Sequence, residues 1–141
     1  MTKVAISSDK APKAAPFFSQ AILTSSKYHL EISGQIGLDP QLGKLVEGGV
    51  AEQTEQIFTN LAGILSELGW SFENITKSRV FLTSMADYQA MNDVYAKKFS
   101  SIPPARLAVA VTGLPLGATV EIECIAEGDQ VTKGAKAKYS L

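Results

Sequence analysis

Arg106 stands directly after Pro103-Pro104-Ala105 and opens the apolar stretch Leu107 to Val111, so a rigid approach delivers a guanidinium to the start of a strand. Its planar fork suits a carboxylate, and a strand entry can place it at the mouth of a cleft. Further on, alternation puts Glu121 and Glu123 on one face of a strand and Val120, Ile122 and Cys124 on the other. Two carboxylates on one face can do acid or base work, and they equally suit a solvated outer surface. Ser33-Gly34-Gln35 offers a hydroxyl beside an approachable backbone, and Asn92 offers an amide to orient a polar ligand. The plainer readings are a turn, a solvated helix position and an exposed arginine. Residue type alone leaves the two sets of readings side by side.

Other chemistries are poorly supplied. His29 is the only histidine and Cys124 the only cysteine, which is too few for a zinc site, a zinc deaminase or an intramolecular disulfide. A serine or thiol hydrolase wants a histidine beside its nucleophile, and only His29, inside a strand, is on offer. Cys124 on an apolar face reads as a buried, inert thiol, and Trp70 as a packing residue. With 13 basic and 14 acidic side chains the net charge is −1, so nothing draws the chain to phosphate backbones or anionic lipid. No apolar run reaches the roughly 18 residues of a membrane span, and Met1 to Lys13 lacks the apolar centre of a secretory signal. A cytoplasmic protein is expected. At 141 residues, 45% hydrophobic and 19% charged, the chain suits one globular domain rather than a disordered tail.

The elements that must position these groups follow from periodicity. A strand around Lys3 to Ile6 precedes two stretches, Phe17 to Thr24 and Lys27 to Ser33, which read as a hairpin. Gly34 to Gly49, with five glycines and Asp39-Pro40, reads as a long turn-rich connection. Ile57, Leu61, Ile64, Leu65 and Leu68 form one stripe of a helix over Ala51 to Gly69. A strand over Ile75 to Thr83 leads to Ser84, an N-cap signal for a second helix striped by Tyr88, Met91, Tyr95 and Phe99 and stopped before Pro103. Two strands, Arg106 to Thr112 and Ala118 to Glu127, complete the order βββαβαββ. Two helices cover one face of a sheet, so the architecture is an α+β two-layer sandwich. Leu107, Val109 and Val111 then leave a second apolar face, which a further copy of the chain would cover. Residues 1–127 form the domain, and 128–141, with Lys133, Lys136 and Lys138, a loosely held Lys/Gly/Ala tail.

Several of these segments together resemble a known family. Ala-Pro-Lys-Ala-Ala-Pro-Phe from Ala11, Ile-Ser-Gly-Gln-Ile from Ile32, the Tyr88 to Phe99 helix, Pro-Ala-Arg from Pro104 and Leu-Pro-Leu-Gly-Ala-Thr-Val-Glu-Ile-Glu from Leu114 are similar to the RidA/YjgF reactive intermediate deaminases. The resemblance runs from about Ala11 to Glu127. It implies a chorismate-mutase-like fold assembled as a homotrimer with clefts between subunits. It implies hydrolysis of enamines and imines such as 2-iminobutanoate and 2-iminopropanoate to 2-keto acids and ammonia, with no metal or organic cofactor. By that similarity Arg106 clamps the substrate carboxylate, Glu121 positions the attacking water, and Phe17, Ser33, Gly34, Asn92 and Ala108 line the pocket. Two positions depart from the pattern. Phe17 keeps the ring of a frequent tyrosine without its hydroxyl. Ala108 stands where a cysteine is frequent, leaving a backbone N–H and no thiol to oxidise. An RNA-cleaving, translation-inhibiting activity is also attached to the family, and a trimer that merely binds a small carboxylate would use the same arginine.

Overall fold

In the computed structural model, which describes residues 1–132, the chain runs through β1 (Thr2–Ile6), β2 (Ala21–Ser25), β3 (Tyr28–Gln35), β4 (Leu38–Asp39) and β5 (Lys44–Leu45). It continues through α1 (Val50–Ser66), β6 (Ile75–Leu82), α2 (Tyr88–Ala96), β7 (Ala105–Ala110) and β8 (Val120–Gly128). The main sheet is ordered β3-β8-β6-β7, with β6 and β7 parallel and the other pairs antiparallel. A parallel pair needs a crossover, and α2 supplies it between β6 and β7. Ser84 does act as a cap, but for the short 3-10 turn Met85–Asp87 that precedes α2.

Alternation decides which side of the sheet the helices take. Val80 and Leu82 of β6 and Val120, Ile122, Cys124 and Ala126 of β8 are buried, while Arg79, Phe81, Glu121, Glu123 and Ile125 between them are half-buried. Ile57, Leu61 and Leu65 of α1 are fully buried and join the same core. Burial of each contributes about 1.5–3 kcal/mol. Phe58 meets Phe72, Tyr95 and Phe99 edge-on at centroid distances of 5.4, 5.7 and 6.1 Å, which ties α1 to α2. Past the end of α1, Gly69 adopts φ +75°, a left-handed conformation in which glycine carries no Cβ penalty.

One expectation changes. β2 and β3 do not form a hairpin: β2 pairs with β1, and β3 pairs with β8. Ser26-Lys27 between them has no residue at positive φ, so the two-residue turn that returns a hairpin strand is not formed. The Lys27 N–H instead donates to Asp129 Oδ1 at 2.9 Å. Within the Gly34 to Gly49 connection, β4 and β5 pair as a small ladder. In the described part of the C-terminal segment, Trp70 Nε1 donates to Gln130 O at 2.7 Å and the Thr132 N–H to Leu68 O at 3.1 Å. Lys133, Lys136 and Lys138 lie outside the described residues. Trp70 is buried in the core, as its position after Gly69 suggests.

The β1–β2 ladder is anchored by one side chain. Lys3 Nζ donates to the carbonyls of Glu73, Ile75 and Ile102 at 3.1, 2.8 and 2.9 Å. Burial holds its pKa below the ordinary lysine value, with Glu73 opposing. Lys3→Met leaves three carbonyls without that donor and should destabilise the fold by about 1–3 kcal/mol in denaturant melts.

Candidate active site

Arg106 follows a seam in which Ser19 donates to the carbonyls of both Pro103 and Pro104. Ser19 Oγ donates to Pro103 O at 2.6 Å and the Ser19 N–H to Pro104 O at 3.0 Å, and Ser19 bridges Ala105. That seam sets Phe17 and Phe18 beside the next residue. The Arg106 Cζ lies 4.8 Å from the Phe17 centroid, 5.3 Å from Phe18, 4.8 Å from Tyr95 and 5.6 Å from Tyr88. Nη1 donates to Asn92 Oδ1 at 2.6 Å and Nη2 to the Tyr88 hydroxyl at 3.0 Å. Tyr88, Asn92 and Tyr95 are spaced four and three residues apart on α2, hence on one helical face. Asn92 is 3% exposed, so it is neither a solvated helix position nor a free amide. Tyr95 is held in turn by Ser78 Oγ at 2.5 Å.

The electrostatics are unusual in one respect. Burial pulls the Arg106 guanidinium below its ordinary pKa, with Tyr95 and Tyr88 opposing. Its hydrogen-bond acceptors are neutral, and among the described residues no carboxylate forms an ion pair with it. A cation withdrawn from water without a counter-charge is a standing demand for an anion.

Ala108 lies two residues on along β7, paired with Val80. The Val111 N–H donates to Leu82 O, so alternation turns the Ala108 N–H away from β6 to the free edge of the sheet, where a ligand can accept from it. β3 is irregular between Ile32 and Gln35, where Ser33 and Gly34 are exposed. A Cβ on Gly34 would stand 2.5 Å from Glu121 Oε1, so these two residues touch.

The structure therefore gathers Arg106, Phe17, Asn92 and Ala108 in one group and Gly34 and Glu121 in another, and it keeps them apart. Arg106 is in register with Ser78 and Glu121 with Phe81. Ser78 belongs to the helix-covered face and Phe81 to the open one. Three residues along the strands is about 10 Å and two strands across about 9–10 Å, with the sheet itself between the side chains. Glu123 shares the open face with Glu121 but is engaged by Arg79 at 2.9 Å. His29 bridges Glu127 and Glu31 at 3.4 Å each on the surface, which raises its pKa, and lies in neither group. Burial pushes the Cys124 thiol up to about 12, consistent with an inert residue. Sequence reasoning missed Phe18, Tyr88 and Tyr95 as parts of the arginine's surroundings. The available signal was their spacing around Asn92 and the Phe17-Phe18 pair.

The α+β domain thus carries a half-buried arginine among aromatic rings and the Asn92 amide on one sheet face, and on the other Glu121, which makes no side-chain hydrogen bond or ion pair among the described residues. The chain belongs to the Endoribonuclease L-PSP family, whose model matches residues 8–128. It is 47% identical over 121 residues to the 2-iminobutanoate/2-iminopropanoate deaminase of Capra hircus, covering 86% of this chain and 87% of that one. The structure of YyfB from Yersinia pestis, of the Rid protein family, superposes with a TM-score of 0.80 at 28% identity over 90% of this chain and 99% of that one. Yeast Mmf1 gives 0.68 at 40% identity over 91% and 100%.

Proposed function

We propose that the protein hydrolyses small 2-imino acids, of the 2-iminobutanoate and 2-iminopropanoate type, to 2-keto acids and ammonia in a homotrimer of chorismate-mutase-like subunits. The observation that carries the reading is the Arg106 guanidinium, half-buried among neutral partners and therefore short of one anion. The substrate carboxylate supplies it. Gripping that group fixes the direction in which the C=N carbon faces, replacing much of the entropic cost of attack. Water then adds to the carbon of the nitrogen-protonated imine while Glu121 orients it and takes one of its protons. Glu121 returns that proton to the nitrogen of the resulting carbinolamine, and the C–N bond breaks as the hydroxyl oxygen forms the C=O bond and gives up its proton, releasing ammonia. Base assistance of this kind contributes roughly 10²- to 10⁴-fold.

A four-carbon acid cannot touch Arg106 and Glu121 across the sheet of one protomer. Each site is instead completed by a second copy, the open face of one sheet meeting its neighbour so that Gly34 and Glu121 of one protomer face Arg106, Phe17, Asn92 and Ala108 of another. Leu107, 44% exposed, with Phe81, Val109 and Ile125, supplies apolar surface for that contact. Ser33 would lie at the rim beside Gly34.

Turnover is tested by generating 2-iminobutanoate from 2-aminobutanoate with an amino-acid oxidase and following keto-acid formation. The protein should accelerate it, and no acceleration would remove this reading. Gly34→Ala probes the carboxylate half-site separately. Its methyl would meet the flexible end of Glu121, so the variant should fold while kcat falls about 10- to 100-fold as the carboxylate is displaced.

A further inference from the structure

The Tyr88 hydroxyl has a role that its hydrogen bonding defines. A guanidinium has donors and no acceptor, so at the 3.0 Å contact with Arg106 Nη2 the phenolic oxygen must accept. Its own proton is then free for another partner. Among the described residues no other hydrogen bond to this hydroxyl occurs, and the half-buried Tyr88 side chain ends beside the Arg106 guanidinium, which has no ion pair among them. Nη1 faces inward, to Asn92 Oδ1 and, more weakly, Met91 Sδ at 3.9 Å. That leaves Nε–H and the second hydrogen of Nη2 for a ligand, so a bound carboxylate sits on the Nη2 side, next to Tyr88. Phe17 and Phe18 contribute rings and no hydroxyl there.

We infer that Tyr88 is a substrate-binding residue whose hydroxyl, oriented by accepting from Arg106, donates its proton to an oxygen of the substrate carboxylate and so selects for small carboxylic acids. The inference rests on the proposed small-acid site and adds to it a donor that reads the carboxylate itself, not the 2-imino group. No bond is made or broken by Tyr88, and its contact is the same in ground and transition states. Its loss therefore weakens binding without slowing chemistry.

Tyr88→Phe removes one oxygen and keeps the ring over the guanidinium. Calorimetry of the intact protein with 2-ketobutyrate and with butanoate should give a dissociation constant about 10-fold higher for both ligands in the variant, with kcat on the oxidase-generated imine unchanged. A residue that merely held Arg106 in place would lower kcat as well. Loss of 2-ketobutyrate affinity with butanoate unaffected would put the hydroxyl on the 2-oxo group and overturn the assignment, as would unchanged binding of both. Independently of the variant's folding, a crystal of the wild-type protein soaked with 2-ketobutyrate should place the Tyr88 oxygen about 2.7–3.2 Å from a carboxylate oxygen. A hydroxyl turned away from the carboxylate would overturn the inference. If the wild-type protein neither binds 2-ketobutyrate nor turns over the imine, the site reading fails and takes this inference with it. If it does both and the variant matches it, only the role of Tyr88 falls.

Discussion

Arg106→Met should abolish imine hydrolysis while leaving the fold intact. Truncating one partner of a buried, hydrogen-bonded charge pair costs about 2–5 kcal/mol, so kcat/KM should fall by on the order of 10³-fold. Stability is set by two opposing effects. In the free protein the guanidinium is withdrawn from water against neutral acceptors, Asn92 Oδ1 and the Tyr88 hydroxyl. A methionine fills the space between the Phe17 and Tyr95 rings and removes that desolvation penalty, which offsets the buried Asn92 Oδ1 left without its donor. Steady-state kinetics and thermal melting on the same preparation check both halves. Activity within 10-fold of wild type would show that the carboxylate is gripped elsewhere, and a collapse in melting temperature would show that the arginine is a structural strut. Arg106→Lys is the finer control. It keeps the charge but cannot serve Asn92, Tyr88 and a ligand through one planar fork, so it should remain far below wild type.

Mixing two inactive variants should restore activity. Arg106→Met lacks the carboxylate grip and Glu121→Gln the base, and each variant should be nearly inert alone. If every site takes Arg106 from one protomer and Glu121 from the next, co-refolding equal amounts leaves about one interface in four with both native residues, and about a quarter of wild-type activity returns. The expectation follows from the register: Arg106 beside Ser78, Glu121 beside Phe81, on opposite faces of one sheet. Were both groups drawn from a single protomer, no mixture could regain activity. Light scattering on the same sample should report three chains, and a monomer at micromolar concentration would contradict the shared site.

Much of the architecture was legible from local signals. The Ile57, Leu61, Leu65 stripe forms the buried side of α1, and the alternation of Val120 to Cys124 assigns Glu121 and Glu123 to the face opposite the core, because both patterns report a single element against a single apolar environment. The hairpin expected from Phe17 to Ser33 failed because strand-like composition says that a segment pairs, not with what. β2 turned to β1 and β3 to β8, partners distant in sequence. The site divides in the same way. Arg106 could be singled out by its place after two prolines, and Asn92 as a polar group on an apolar helix. That the two bond to each other, and that Tyr88 and Tyr95 wall the guanidinium, depends on the α2 crossover that lays one helix over β7.

The order of chemistry-bearing residues, the periodicity of the elements and the near-neutral charge that discourages nucleic acid are properties of the chain itself, since each depends on neighbours within one turn or one strand. Only the tertiary structure decided that Arg106 is half-buried with no ion pair among the described residues and that Glu121 lies on the far side of the sheet from it. Those facts arise from strand order and register, β3-β8-β6-β7, which are set by packing among residues scores of positions apart. No local pattern encodes them.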